Sequence, residues 1–276
     1  MRIDSHQHFW RYNPEEYGWI TEQLKVLRRN FLPGDIKQEM KWCDFEGSIA
    51  VQARQSIEET KWLLELADAY PFIKGVVGWA DLRSPDLDKQ LSMFALNKKL
   101  VGVRHIVQDE PDNEFLIRQD FINGIKRVQY YGLAYDIVIY PKQLRAAERL
   151  AVQFPDMRFV LDHCAKPFIK NKTRSPWGED IRELAKCPNV FCKVSGMVTE
   201  ADWKKWEYND FIPYLDVVFE AFGTERVMIG SDWPVCTLAG TYQDVLSIVL
   251  KYISQYSQEE QDLILGKNAA NAYHLS

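Results

Sequence analysis

Cysteine is scarce and irregular in this chain. There are five, an odd number, with no Cys-x-x-Cys pair, whereas a disulfide framework or a zinc ribbon needs regular spacing. The pattern predicts reduced thiols and a cytoplasmic location. Long apolar runs are missing as well. No stretch approaches the roughly 18 residues of a membrane span. The N-terminus is polar from Asp4, without a signal-peptide apolar segment, and the tail Tyr273–Ser276 carries no lipidation box. Nor is there excess positive charge. Lys plus Arg number 34 against 39 Asp plus Glu, a net charge of −5, which argues against nucleic acid and against an anionic membrane surface. Three catalytic signatures are absent: the G-x-S-x-G of α/β-hydrolases, the H-E-x-x-H of zinc proteases, and the P-loop, since Gly266-Lys267 is followed by Asn268. The partner that remains is a small molecule, for which a few local cations suffice.

What is present is one alternation, repeated. Short β-branched segments occur at 2–5, 47–52, 73–80, 101–105, 133–139, 158–161, 190–194 and 227–230. Their spacing averages about 32 residues, the length of a strand plus a crossover helix. Most are apolar throughout, as strands covered on both faces should be. Between them lie amphipathic segments with start signals. Ser56-x-x-Glu59 and Ser257-x-x-Glu260 read as capping boxes, and Ser84-Pro85 as an N-cap and first helical position. The pattern predicts an α/β chain forming a single (β/α)8 TIM barrel over residues 1–276. Residues 9–32 form a long first βα loop over the active face. A doubly wound sheet usually carries a glycine-rich turn after its first strand. Here that place reads Ser5-His6-Gln7-His8-Phe9-Trp10.

In such a barrel the chemistry sits at the C-terminal ends of the strands. The polar and aromatic residues at the eight strand ends are, in order, His6 and His8; Gln52 and Arg54; Trp79 and Asp81; Arg104 and His105; Asp136 and Tyr140; Asp162, His163 and Lys166; Lys193 and Ser195; and Ser231, Asp232 and Trp233. Four of the five histidines fall at strand ends, and His274 is left as a surface or packing residue. His6 and His8 are two apart on an extended segment, so they point the same way. The first and eighth strands are neighbours in a closed barrel, which brings Asp232 beside them.

These residues resemble a family. The stretches Ile3-Asp4-Ser5-His6-Gln7-His8-Phe9-Trp10, Val51-Gln52-Ala53 with Glu59-Thr60, Gly102-Val103-Arg104-His105, Leu161-Asp162-His163 with Lys166-Pro167, Lys193-Val194-Ser195-Gly196, Gly230-Ser231-Asp232-Trp233-Pro234 and Asn268-Ala269-Ala270 run in order along essentially the whole chain. They are similar to the amidohydrolase superfamily, in its amidohydrolase-related (amidohydrolase-2) branch, and within it to the sugar-lactonase group that includes L-fuconolactonase and L-rhamnonolactonase. The first and the Gly-Ser-Asp-Trp-Pro motifs are the specific ones. The resemblance implies a (β/α)8 barrel and hydrolysis of a sugar lactone. It gives Asp232 as the base that deprotonates water, and His6, His8 and His163 as groups that polarise the carbonyl or bind metal.

Two forms of that chemistry stay open. His6, His8, His163 and Asp232 could hold one zinc or similar ion with a position left for water. A two-metal centre lacks the bridging lysine that many relatives place after strand 4, where Arg104 and His105 stand instead. A metal-free route is also physically adequate, because a lactone is an activated ester. Asp232 takes the water proton and returns it to the ring oxygen, His163 donates to the carbonyl oxygen, and Arg104 or Lys166 stabilises the oxyanion. Such a base works best if burial raises its pKa towards the working pH. Trp10, Trp79 and Trp233 offer flat faces for a polyhydroxylated ring. Arg54, Arg104, His105 and Lys193 complete the substrate-binding set, with a buried ion pair as the alternative for Lys193. A zinc-dependent decarboxylase of the same branch, another small cyclic-ester hydrolase and a non-catalytic binding barrel are the rival readings. The sequence leaves monomer and homo-oligomer both open.

Overall fold

The computed structural model describes residues 1–275; Ser276, the last residue of the predicted domain, lies outside the described residues. Eight parallel strands succeed one another around a single sheet: β1 (Ile3–Gln7), β2 (Gly47–Val51), β3 (Ile73–Gly78), β4 (Leu100–Ile106), β5 (Ala134–Val138), β6 (Phe159–Leu161), β7 (Val190–Val194) and β8 (Val227–Ile229). The ring is nearly closed. His8 N–H donates to Trp233 O at 2.7 Å, Asp232 N–H to His6 O at 2.8 Å, and the Ser5 hydroxyl to Ile229 O at 2.7 Å. This is the (β/α)8 barrel that the eightfold alternation predicts.

The strands are buried on both faces, which is why most read as apolar runs rather than as alternations; β1 is equally buried but polar from Asp4 to Gln7. Inward side chains such as Ile49, Val77, Val101, Val160, Phe191 and Met228 fill the barrel. The outward ones pack under a ring of helices: α1 (Pro33–Trp42), α2 (Ile57–Ala69), α3 (Leu87–Phe94), α4 (Gln119–Tyr130), α5 (Leu144–Gln153), α6 (Trp177–Ala185), α7 (Tyr208–Phe222) and α8 (Tyr242–Ile253). Each fully buried aliphatic side chain contributes about 1.5–3 kcal/mol. The chain after α8 runs through Gln258–Asp262 and Leu263–Lys267 to Asn268–Ala272, and Ala269, Ala272 and Tyr273 join the interior cluster. Among the described residues no helix is long and apolar enough to cross a membrane.

The capping boxes resolve differently. Ser257 and Glu260 bond reciprocally as expected. At α2 only half the box forms. Ser56 Oγ accepts from Glu59 N–H at 3.2 Å, but the Glu59 carboxylate turns to the Ala53 and Arg54 N–H groups, 3.0 Å each, and to the Tyr17 hydroxyl at 3.0 Å. Glu59 therefore ties the first loop to the end of β2. Burial pushes its pKa up to about 7. The loop has its own order. Trp10 pairs with Phe31 in an antiparallel bridge, a 3-10 stretch runs over Glu22–Leu27, and Trp10 Nε1 donates to Arg29 O at 2.9 Å.

Candidate active site

The register of β1 shifts between Asp4 and Gln7, the kind of irregularity that re-aims side chains beside functional sites. His6 and His8 emerge from it with their Nε2 atoms 3.2 Å apart. Gly230 makes room for them: a Cβ there would stand 2.9 Å from His6 Cβ and 3.1 Å from Ser195 Cβ. Asp4 anchors the facing strand end, accepting from Ser231 N–H at 2.8 Å and Ser231 Oγ at 2.6 Å. Beyond it Asp232 sits in the left-handed region at φ 57°. Its Oδ1 lies 3.4 Å from His8 Nε2, 3.9 Å from His6 Nε2 and 4.0 Å from His163 Nε2.

His163 arrives by an unusual route. After β6 the chain makes a left-handed turn of four non-glycine residues, His163 to Lys166, with φ between 51° and 58°. Each such residue costs about 1–2 kcal/mol, a strain of the kind concentrated at functional sites. The turn drops the His163 ring against His6, with centroids 4.3 Å apart, and its Nδ1 meets Ser195 Oγ at 2.9 Å. Gly196, at φ 60°, closes this contact.

Beneath the histidines lies a buried charge network. Asp162 Oδ1 accepts from His6 Nδ1 at 3.2 Å and lies 3.0 Å from Lys193 Nζ, while Asp162 Oδ2 accepts from Arg104 Nη1 at 2.9 Å. Lys193 also donates to Asp136 Oδ2 at 2.5 Å, which the Tyr273 hydroxyl bonds at 2.7 Å. Burial favours the neutral form of Asp162, but Lys193, His6 and Arg104 outweigh it and hold the carboxyl well below its usual range. Asp136, with fewer cations, is raised to about 6 by burial. Burial lowers His6 well below its usual value and brings His163 down to about 4. For Asp232 burial pushes upward, but His163, His8 and His6 pull further down, so it stays ionised. This reverses the raised pKa expected of a base at this position.

The mouth is a cleft of about 380 Å³ lined by His8, Trp19, Arg54, Arg104, His163, Lys166 and Asp232, among others. Of the expected substrate-binding residues, Arg54, Arg104 and Lys166 reach it. The others are placed elsewhere. His105 comes directly after Arg104 on β4 and so points outward, where it stacks on Phe115 at 5.0 Å and bonds Glu110 at 2.7 Å. Trp10 is fully buried among Tyr17, Trp19 and Phe31, and Trp233 packs on Phe9 and Phe31. Trp79 is outside the lining, its backbone N–H held by Thr60 Oγ1 at 2.8 Å. Lys193 is wholly buried in its ion pairs, the alternative left open for it. Cys164 is buried, its thiol turned to Lys193 O.

The family model described as Amidohydrolase matches residues 3–275. The chain belongs to the amidohydrolase family. Within that family it is 40% identical to an L-fucono-1,5-lactonase of Burkholderia multivorans, over all of this chain and 96% of the relative. It is 35% identical to an L-fucono-1,5-lactonase of Burkholderia ambifaria, over 88% of this chain and 84% of the relative. A crystal structure of an amidohydrolase from Burkholderia multivorans with bound zinc superposes with a TM-score of 0.97 at 40% identity, each chain covered completely.

The donor atoms of this family member suit one divalent ion. His8 Nδ1 donates to Val51 O at 2.7 Å and His6 Nδ1 to Asp162, so both Nε2 atoms present lone pairs. Two lone pairs facing at 3.2 Å repel unless a cation lies between them. The edge of a tetrahedral site with nitrogen ligands at about 2.0–2.1 Å is about 3.3 Å, close to the 3.2 Å between the imidazoles and the 3.4 Å from His8 to Asp232. Among the described residues two groups have metal-holding donors: His6, His8 and Asp232, and His6, Asp162 and His163. Asp162, Asp136, Ser195 and Tyr273 stand outside the set of expected site residues. The signal for the first three was that each is a polar residue at a strand end; Tyr273 gave none.

Proposed function

We propose that the protein opens an aldonolactone, of the L-fucono-1,5-lactone class, to the free sugar acid. The observation that carries the reading is the meeting of Asp232 with His6, His8 and His163 at the floor of a cleft rimmed by Arg54, Arg104 and Lys166. The full-length likeness to lactonases supplies the substrate class and favours ester hydrolysis over decarboxylation. The ionised Asp232 carboxylate accepts a proton from water, whose oxygen bonds to the lactone carbonyl carbon. The Lys166 ammonium, stacked over Tyr140 at 5.6 Å, stabilises the oxyanion. The carbon–ring-oxygen bond then breaks, and Asp232 returns its proton to the departing oxygen. His6, His8 and Asp232 hold a divalent ion such as zinc in this proposal, which when bound supplies Lewis-acid polarisation. A cytoplasmic location belongs to the same reading and rests on the five free thiols.

The product acid releases a proton at neutral pH, so an indicator assay over pentono- and hexonolactones reads turnover. Activity on at least one sugar lactone, with or without added Zn²⁺ or Mn²⁺, is expected. No turnover on any of them overturns the proposal. Gly196→Ala gives an independent check of the floor. Its Cβ would lie 2.6 Å from His163 Nδ1 and 3.2 Å from Asp232 Oδ2, on a backbone that costs a non-glycine residue about 1–2 kcal/mol. The expected outcome is a lower melting temperature together with a fall in kcat of at least about tenfold, since small misplacements of reacting groups cost up to about 10²-fold.

A further inference from the structure

Two metal-holding groups share His6, yet their surroundings differ. At His6, His8 and Asp232 the one internal cation in contact is Arg104, whose Nη1 lies 3.4 Å from His6 Nε2; it reaches neither His8 nor the Asp232 carboxylate within bonding distance. At His6, Asp162 and His163 both Asp162 oxygens are already engaged: Oδ1 lies 3.0 Å from Lys193 Nζ and Oδ2 2.9 Å from Arg104 Nη1. Lys193 Nζ also stands 3.3 Å from His6 Nδ1. The two side chains bring two fixed positive charges, the charge of one divalent ion, to the carboxylate of the second group. Lys193 cannot easily withdraw. It is fully buried, its ammonium is clamped by Asp136 Oδ2 at 2.5 Å, and Tyr273 fixes that carboxylate from the C-terminal segment at 2.7 Å.

We propose that Lys193, held by Asp136 and Tyr273 and assisted by Arg104, is a built-in cation that closes the Asp162 group to metal and limits the centre to the single ion position at His6, His8 and Asp232. Ammonium and metal compete for the same carboxylate lone pairs, and a divalent ion entering beside Lys193 would meet like charge among fully buried side chains, where charge is poorly screened. Removing the ammonium leaves Asp136 with only the Tyr273 hydroxyl and Asp162 with Arg104 and the His6 ring, so that no cation stands between the two carboxylates and the pocket favours a divalent ion. The inference uses the metal-holding fit of the site and is independent of which substrate is opened.

The test is metal stoichiometry on the full chain. Purified protein is saturated with Zn²⁺, freed of loose metal by gel filtration and analysed by mass spectrometry of the metal. Lys193→Met and Lys193→Gln, each checked for native circular dichroism, are expected to retain one Zn²⁺ per chain more than wild type. Added Zn²⁺ is expected to raise their melting temperatures more than it raises the wild-type value. Lys193→Arg, which keeps the charge, is expected to gain none. Gln covers the case in which Met does not fold. A wild type that holds two ions, a folded neutral variant that gains none, or a gain in Lys193→Arg each overturns the proposal. Lactone turnover by wild type is scored separately, so loss of the substrate reading leaves this result standing.

Discussion

Asp232→Asn is expected to lower kcat/KM on the best lactone by about 10³-fold or more, with a melting temperature close to that of wild type. The change is nearly isosteric, and the backbone contacts that place the residue do not involve its carboxylate: N–H to His6 O at 2.8 Å, and its carbonyl accepting from Cys236 N–H at 2.9 Å. The left-handed φ of 57° is one that Asn tolerates nearly as well as Asp. What is lost is the ability to take a proton and the negative charge that faces three imidazoles. General-base catalysis is worth about 10²–10⁴-fold, and a weakened hold on the divalent ion adds to that loss. Stopped-flow or indicator assays of kcat and KM beside a thermal melt decide the matter. Activity within tenfold of wild type would remove Asp232 from the role of base, whatever the melt shows.

The barrel was legible because its strands are covered on both faces and its helices are separated by regular start signals. From strand ends alone, His6, His8, His163 and Asp232 could be brought to one place, and the structure brings them there. The rim was less legible, because position at a strand end says nothing of which face a side chain takes. Arg104 and His105 are adjacent, so only one can face the barrel axis, and it is Arg104. Lys193 and Ser195 share a face, but Lys193 lies two residues deeper along β7, inside the ion-pair network rather than in the cleft lining. The tryptophans misled for another reason. The long first loop has a core of its own, and Trp10 and Trp233 are spent on Phe31. The left-handed turn from His163 to Lys166 has no glycine to announce it.

Asp162→Ala is expected to be the most destabilising single change in the site. Asp162 has no exposure, and its two oxygens meet Lys193, Arg104 and the His6 ring N–H. Removing it leaves two buried cations with Asp136 as the nearest remaining anion. Breaking a buried pair in this way costs about 3–5 kcal/mol, and at about 2–4 °C per kcal/mol for a chain of this size class the melting temperature should fall by roughly 6–20 °C. The cause can be separated from mere loss of volume. If uncompensated charge is responsible, adding Arg104→Met to Asp162→Ala removes the cation left without its carboxylate partner, whereas Lys193 keeps Asp136, and the double variant should melt above the single one, a coupling of opposite sign to simple addition. If volume is responsible, the second truncation lowers the melt further. Activity should fall in both variants. The His6 Nδ1–H loses its acceptor, the ring is free to exchange tautomers, and Nε2 no longer presents a fixed lone pair towards His8 and Asp232. A melt of Asp162→Ala within about 3 °C of wild type would show that the buried network is not what holds the floor of the site.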